Sequence, residues 1–308
     1  MRKHLLLLVA IVIATSASAQ FYVSASGGLS MGSAGILLGT SLNDTKTEAK
    51  NHYGSYGEGL NAQLMGGYFF NEMFGLELGL GYLHGSDQTI DSYKVNDSGA
   101  IAEFTEGIAH GRAYGLNLSL VYKFNEKIYG KIGAITKLGG KTEAIFTKTT
   151  PTPFGPILAE GVTDYHGRIP LGFTATIGRK FKLNDNLNLF AELEYLGINV
   201  TRDNSEFQKL TISTPNVPGN SFYAGSPAVP THTWNIGDAP YKWLSEVPGL
   251  PADKVVTIYA PSDITYVDTL ANPNTDPSKA LSSVVPYSSF GINFGITYTF
   301  SKKEKSTM

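Results

Sequence analysis

The stretch Ser289-Phe290-Gly291-Ile292-Asn293-Phe294-Gly295-Ile296-Thr297-Tyr298-Thr299-Phe300 decides the fold class. Phe290, Ile292, Phe294, Ile296, Tyr298 and Phe300 share one parity; Ser289, Gly291, Asn293, Gly295, Thr297 and Thr299 take the other. Strict alternation is the mark of a β-strand with two unlike faces. Here one face is wholly apolar and aromatic, and the other is small and polar. The run also exceeds the about 5–6 residues usual for strands of soluble proteins. It suits the about 9–11 residues that a strand needs to cross a bilayer.

Seven more segments repeat the pattern, at 21–30, 58–70, 73–86, 110–124, 127–140, 165–181 and 187–201, with the last at 286–300. In the third, Phe74, Leu76, Leu78, Leu80 and Tyr82 oppose Glu77, Gly79 and Gly81. In the fourth, Tyr114, Leu116, Leu118, Leu120, Tyr122 and Phe124 oppose Asn117, Ser119 and Lys123. The sixth is weaker, because Arg179 falls on the apolar parity. At a strand end such a charge costs only about 0–1 kcal/mol. A soluble sandwich would alternate as well. The segment length, the Gly, Asn, Ser and Thr of the polar face, and the aromatics gathered near segment ends point instead to lipid outside and a narrow polar lumen inside.

The connections support the same architecture. Asn71-Glu72, Asn125-Glu126 and Asn184-Asp185-Asn186 make short turns, while 31–57, 87–109, 141–164 and 202–285 are long. Short and long alternate strictly, as in an outer-membrane barrel with periplasmic turns and extracellular loops. The expected fold is all-β: an eight-stranded antiparallel transmembrane β-barrel. A ten-stranded form that counts a hairpin at 254–270 is the alternative.

The first nineteen residues are expected to be removed. Arg2, Lys3 and His4 precede an apolar run from Leu5 to Ala14, and Ala17-Ser18-Ala19 is a small-x-small cleavage pattern. This reads as a secretory signal peptide, too short to anchor in a membrane. Removing Arg2 and Lys3 takes the formal charge from −2 to −4, which excludes a nucleic-acid binder driven by bulk charge. The chain has no cysteine, so thiol catalysis, disulfides and Cys-ligated zinc are excluded. No second long apolar run exists, so the chain is not a helical membrane protein.

Over residues 20–300 the pattern resembles the OmpA-like eight-stranded outer-membrane β-barrel superfamily. Tyr298-Thr299-Phe300 resembles the signal read by the barrel-assembly machinery, with Tyr298 and Phe300 as its aromatic positions, although Ser301 to Met308 follow it. That tail is too short to hold a peptidoglycan-binding domain and is expected to be periplasmic. The resemblance implies the outer membrane of a Gram-negative bacterium, with outer-membrane lipid, lipopolysaccharide and the assembly machinery as partners.

An eight-stranded barrel is just wide enough for its own side chains. Glu77, Glu192 and Glu194, with Lys123, Lys131 and Lys180, carry inward parity. Confined charges must pair or hold water, so Lys131 is expected to meet Glu192 and Glu194, with Glu77 at a similar height. Such a network is either a static polar core or the gate of a narrow channel.

Chemistry is sparse. His84 with Ser86 at the top of the third segment, near Glu58, has the residue types of a base-activated nucleophile, but a girdle histidine has the same pattern and no enzyme is expected. His110 with Arg112 and His166 with Arg168 form polar rims, or a patch for anionic lipid headgroups. No metal and no cofactor are expected. Residues 203–284 hold ten of the fifteen prolines and both tryptophans. Loops beyond about 12–15 residues are usually functional or disordered. A partly folded extracellular cap is expected here, with Trp234, Tyr241 and Trp243 as a surface for a protein or glycan partner. The leading functional expectation is a structural, adhesive or partner-binding surface role. A narrow channel for ions or small solutes is the alternative, and a lipid-modifying enzyme comes after both.

Overall fold

The computed structural model describes residues 20–33, 35–97, 100–150, 157–215, 231–234, 263–276 and 278–300. The expected signal peptide and the tail lie outside these residues.

Eight strands close a barrel: β1 (Gln20–Gly32), β2 (Gly59–Phe69), β3 (Phe74–Gly85), β4 (Ala100–Lys123), β5 (Ile128–Thr150), β6 (Gly172–Lys182), β7 (Leu187–Gly197) and β8 (Ser289–Thr299). Each pairs antiparallel with the next, and β8 closes on β1 with Tyr22 opposite Thr299 and Gly32 opposite Ser289. Closure leaves no edge in the ring across the apolar belt, so the backbone groups there find a neighbour without water.

Three tight turns join β2 to β3, β4 to β5 and β6 to β7, and one device builds them all. Asn71 Oδ1 accepts from the backbone N–H of Met73 and Phe74, at 2.9 and 2.6 Å. Asn125 Oδ1 accepts from Lys127 and Ile128, at 2.9 and 2.8 Å. Asn184 Oδ1 accepts from Asn186 and Leu187, at 3.0 and 2.9 Å. A short side-chain carbonyl closing its own turn is why asparagine recurs there. Asn125→Ala is expected to destabilise the barrel by about 1 kcal/mol, as loss of turn or cap hydrogen bonds does. An unfolding midpoint in urea equal to that of the parent protein would disprove this role.

The outward parity forms a continuous apolar belt. Leu64, Leu78, Leu118, Ile132, Ile177, Leu193 and Phe294 all expose large apolar surface. Aromatic pairs bound the belt at both rims. At the turn rim, Phe21 meets Tyr68 at 4.6 Å and Phe74 meets Tyr122 at 5.0 Å. At the far rim, Tyr82 meets Tyr114 at 5.1 Å and Tyr195 meets Phe290 at 4.8 Å. Eight residues separate Phe74 from Tyr82 and Tyr114 from Tyr122. At about 3.3 Å per residue and about 40° of tilt this is a height of about 20 Å, close to the apolar band of a membrane barrel.

Beyond the far rim the structure departs from the expected boundaries. β4 and β5 have 24 and 23 residues and remain paired from Lys123–Tyr129 up to Phe104–Thr149. Residues 100–109 and 141–150, read as connections, are strand. They were illegible because an apolar parity is required only where one face meets lipid. The sixth segment, read from 165, begins at Gly172 instead. Tyr165 to Gly167 belong to a separate strand, Ile157–Gly167, that pairs with the upper part of β5. Pro170 stands in the break, and it has no N–H for a ladder. The seventh segment ends at Gly197, and Asn199–Pro215 leaves as another strand to pair with Ile157–Gly167.

The break leaves a mark in the wall. β5 pairs with β6 as far as Ile135 opposite Gly172, and with Ile157–Gly167 only from Thr142 opposite Tyr165. Between these points residues 168–171 cross without ladder pairing, held by Thr136 Oγ1 donating to the Pro170 carbonyl at 2.6 Å. Ile169 and Leu171 are 79% and 82% exposed there. On the other edge of β5 a bulge leaves Leu138 without a partner on β4. Gly140 follows with φ of 95° and no room for a Cβ against the Arg112 carbonyl, so only glycine fits.

The connections beyond the far rim carry β-structure of their own. Ile36–Leu42 pairs with Ala49–Gly54, Gln88–Asp97 folds back on β4, and Thr231–Trp234 and Asp263–Val267 both add to Asn199–Pro215. Asp263–Val267 thus lies in the sheet beyond the far rim and not in the barrel. The other half of the expected 254–270 hairpin lies outside the described residues.

Candidate functional site in the barrel lumen

Inward parity brings β3, β5 and β7 to a common point. Lys131 Nζ lies 2.8 Å from Glu77 Oε1 and 2.7 Å from Glu192 Oε1. Tyr22 donates its hydroxyl to Glu77 Oε2 at 2.8 Å, and Tyr129 donates to Glu192 Oε1 at 2.6 Å. The two rings lie over Gly67 and Gly178, where a Cβ would collide with them. Glu77 and Glu192 are almost wholly buried, with Phe69 and Val121 filling the space around the tyrosines. The void among these groups is about 10 Å³, about the least that holds one water. The turn-side half of the lumen is therefore filled.

Glu194 does not join Lys131 as expected. It sits two residues further along β7, and its Oε2 accepts from Gln63 Nε2 at 2.9 Å and from Asn293 Nδ2 at 2.7 Å. Nearer the turns, Lys180 Nζ lies 5.1 Å from the Tyr129 ring and 5.5 Å from the Tyr22 ring, and Lys123 Nζ lies 3.6 Å over Phe69. Cations over ring faces gain cation–π attraction. The inward tyrosines were missed in the sequence, although parity marks them: Tyr22 stands between the outward Phe21 and Val23, and Tyr129 follows the outward Ile128.

The upper lumen differs. A cavity of about 100 Å³ lies above Gln63 and Glu194, walled by Leu83, Ala113, Ile135 and Leu196. Tyr287 roofs it, with its hydroxyl 2.6 Å from Thr142 Oγ1 and its ring in the apolar cluster with Tyr56, Ile198 and Val200.

The remaining candidates are dispersed. His84 Nδ1 lies 3.4 Å from the Tyr82 hydroxyl on the outer surface. His110 and Arg112 separate: the imidazole lies between Asp87 Oδ1 at 2.8 Å and Glu143 Oε1 at 3.2 Å, whereas Arg112 donates to the Gly85 carbonyl at 2.7 Å. Lys141 bridges Asp164 and Glu143 at 2.8 and 2.6 Å. Its hydrogen bond to Asp164, then that to Glu143, holds its ammonium above the usual lysine range, and Lys141 in turn holds Glu143 below the usual carboxylate range. Arg168 meets Asp268 at 2.9 Å. In the long loop, Trp234 ends a strand paired with Ile212–Pro215, while Tyr241 and Trp243 lie outside the described residues. Tyr266, also from this loop, is buried against Tyr165. Tyr298 and Phe300 stack edge to face at 5.1 Å on the turn rim. Among the described residues no cluster of three or more His, Cys, Asp or Glu side chains could hold a metal.

The model of the outer membrane protein beta-barrel domain family matches residues 5–215. The chain belongs to this family. It is an outer-membrane protein of the Gram-negative type, and the belt between the aromatic rims is its lipid-facing surface. The family match stops before β8, so only the structure shows how the barrel closes. Among solved structures, the chain is similar to a major outer membrane protein from Thermus thermophilus at 13% identity and TM-score 0.34, covering 92% of this chain and 100% of that one. It is similar to Acinetobacter baumannii CarO2 at 13% identity and TM-score 0.29, covering 91% and 99%. The outer membrane protein AlkL matches at 13% identity and TM-score 0.29, covering 94% of each chain. No curated protein matches the chain.

Proposed function

We propose that this outer-membrane barrel does not conduct, and that it acts at the cell surface as a structural or partner-binding protein through the β-structure it carries above the membrane. One observation carries the reading. The turn-side lumen is closed by Lys131, Glu77, Glu192, Tyr22 and Tyr129 with about 10 Å³ of void, whereas β4 and β5 continue past the far rim to hold further strands in register. A partner would be a surface protein or a glycan that meets this extracellular sheet and the segment from 216 to 262. The turn rim faces the periplasm, and outer-membrane lipid and lipopolysaccharide surround the belt.

The test is conductance in planar bilayers, with the refolded protein whole and with its outer segment removed. Glu206 and Asp263 face each other in register, so residues 207–262 can be replaced by an Asn-Gly turn suited to an antiparallel pair. No steady openings are expected in either form. The shortened barrel should still fold and should lose whatever surface partner the whole protein captures. Openings that change with Glu77→Gln would instead favour the narrow channel. Openings confined to the shortened form would make the outer segment a plug.

A further inference from the structure

The upper-lumen cavity has features that a filled barrel core does not need. Its walls are largely apolar, from Leu83, Ala113, Ile135 and Leu196, yet its floor holds the Glu194 carboxylate. Glu77 and Glu192 share the Lys131 ammonium. The contacts of Glu194 are two neutral amide donors, Gln63 and Asn293, and both go to Oε2. A carboxylate whose hydrogen bonds come from neutral amides gains a stronger, charge-assisted bond when an ammonium group reaches its free oxygen. Lys137 also lines the chamber, but its Nζ is turned to the Gly140 carbonyl at 3.2 Å and stands 5.4 Å from the Tyr287 ring, at the roof.

A second hollow lies beside the chamber. An open groove of about 500 Å³ on the outer face runs along the unpaired stretch of β5, between Leu138 and Ile169. Groove and chamber share Tyr82, Tyr114 and Lys137 as lining residues. The two therefore adjoin where the ladder between β5 and its neighbours is broken, just above the far aromatic rim.

We propose that the chamber is a binding site for a small primary ammonium compound with a compact hydrocarbon body. The ammonium group would sit on Glu194 and the hydrocarbon against Leu83, Ala113, Ile135 and Leu196. At about 100 Å³ the chamber is smaller than the about 150 Å³ apolar cavity that admits benzene, which sets the ligand at about five heavy atoms. The site is independent of what the barrel displays outside the membrane, and a silent bilayer neither supports nor weakens it.

The experiment uses the whole protein refolded in lipid nanodiscs and titrated with n-butylammonium, read by methyl NMR. Saturable shifts are expected at Ile135 and Leu196, with those of the lipid-facing Leu78 unchanged. Glu194→Gln keeps an acceptor for Gln63 and Asn293 but removes the charge, and should weaken binding at least tenfold while leaving the fold intact. Ala113→Leu should fill the chamber and abolish the shifts; Leu196→Phe serves if that variant fails to fold. Shifts that grow linearly without saturation, or equal affinity in Glu194→Gln, would overturn the proposal.

Discussion

Lys131→Met is expected to destabilise the refolded barrel by about 3–5 kcal/mol, the usual cost of leaving buried charges without their partner. Lys131 Nζ is shared between Glu77 and Glu192 at 2.8 and 2.7 Å, and all three side chains are nearly inaccessible. Methionine keeps the length and removes the charge. The two carboxylates would then share a void of about 10 Å³, with the Tyr22 and Tyr129 hydroxyls as remaining donors. Unfolding by urea in lipid vesicles, followed by circular dichroism and by the gel mobility of the folded form, measures the loss. Combining Lys131→Met with Glu77→Gln and Glu192→Gln should recover most of it, because removing a whole buried ionic group costs far less than breaking it. A single variant within about 0.5 kcal/mol of the parent, the range of ordinary surface changes, would mean that water fills this lumen, and the non-conducting reading would fall with it.

Leu78→Arg should cost about 2–4 kcal/mol, against about 0–1 for His84→Arg on the same strand and the same face. Leu78 lies four residues from both Phe74 and Tyr82, midway between the aromatic rims, and is 52% exposed. In water such a side chain would accept arginine at little cost. In lipid the guanidinium has no partner at the midplane, whereas at the rim it reaches the headgroups. The same urea titration compares the two variants. Equal costs at Leu78 and His84 would contradict the placing of the membrane between these rims.

The lipid-facing half of each strand was legible because a bilayer imposes one demand on every second residue. Leu76, Leu78, Leu80 and Tyr82 satisfy it, and so do Phe290 to Phe300. Asparagine at the turns was legible for a local reason as well, since each closes its own loop. Legibility stopped at the far rim. Residues 142–149 of β5 pair with other strands beyond the far rim, where no lipid demands an apolar face, so no alternation distinguishes them from a connection. The break at Pro170 showed in residue type, but its consequence, an unpaired stretch of β5, depends on where Ile157–Gly167 docks.

Period-two chemistry along the chain thus determined the fold class, the count of strands crossing the membrane and the inward direction of Glu77, Lys131, Glu192 and Glu194. These are local properties of a pleated strand between two media. Only the tertiary structure decided that Lys131 meets Glu77 and Glu192 while Glu194 goes to Gln63 and Asn293. The strands of Glu77, Lys131 and Glu192 are not neighbours in the wall, nor are those of Gln63 and Glu194; only Asn293 stands on a strand next to that of Glu194. The relative heights of their side chains follow from the stagger summed over every pairing around the barrel, which no single segment encodes.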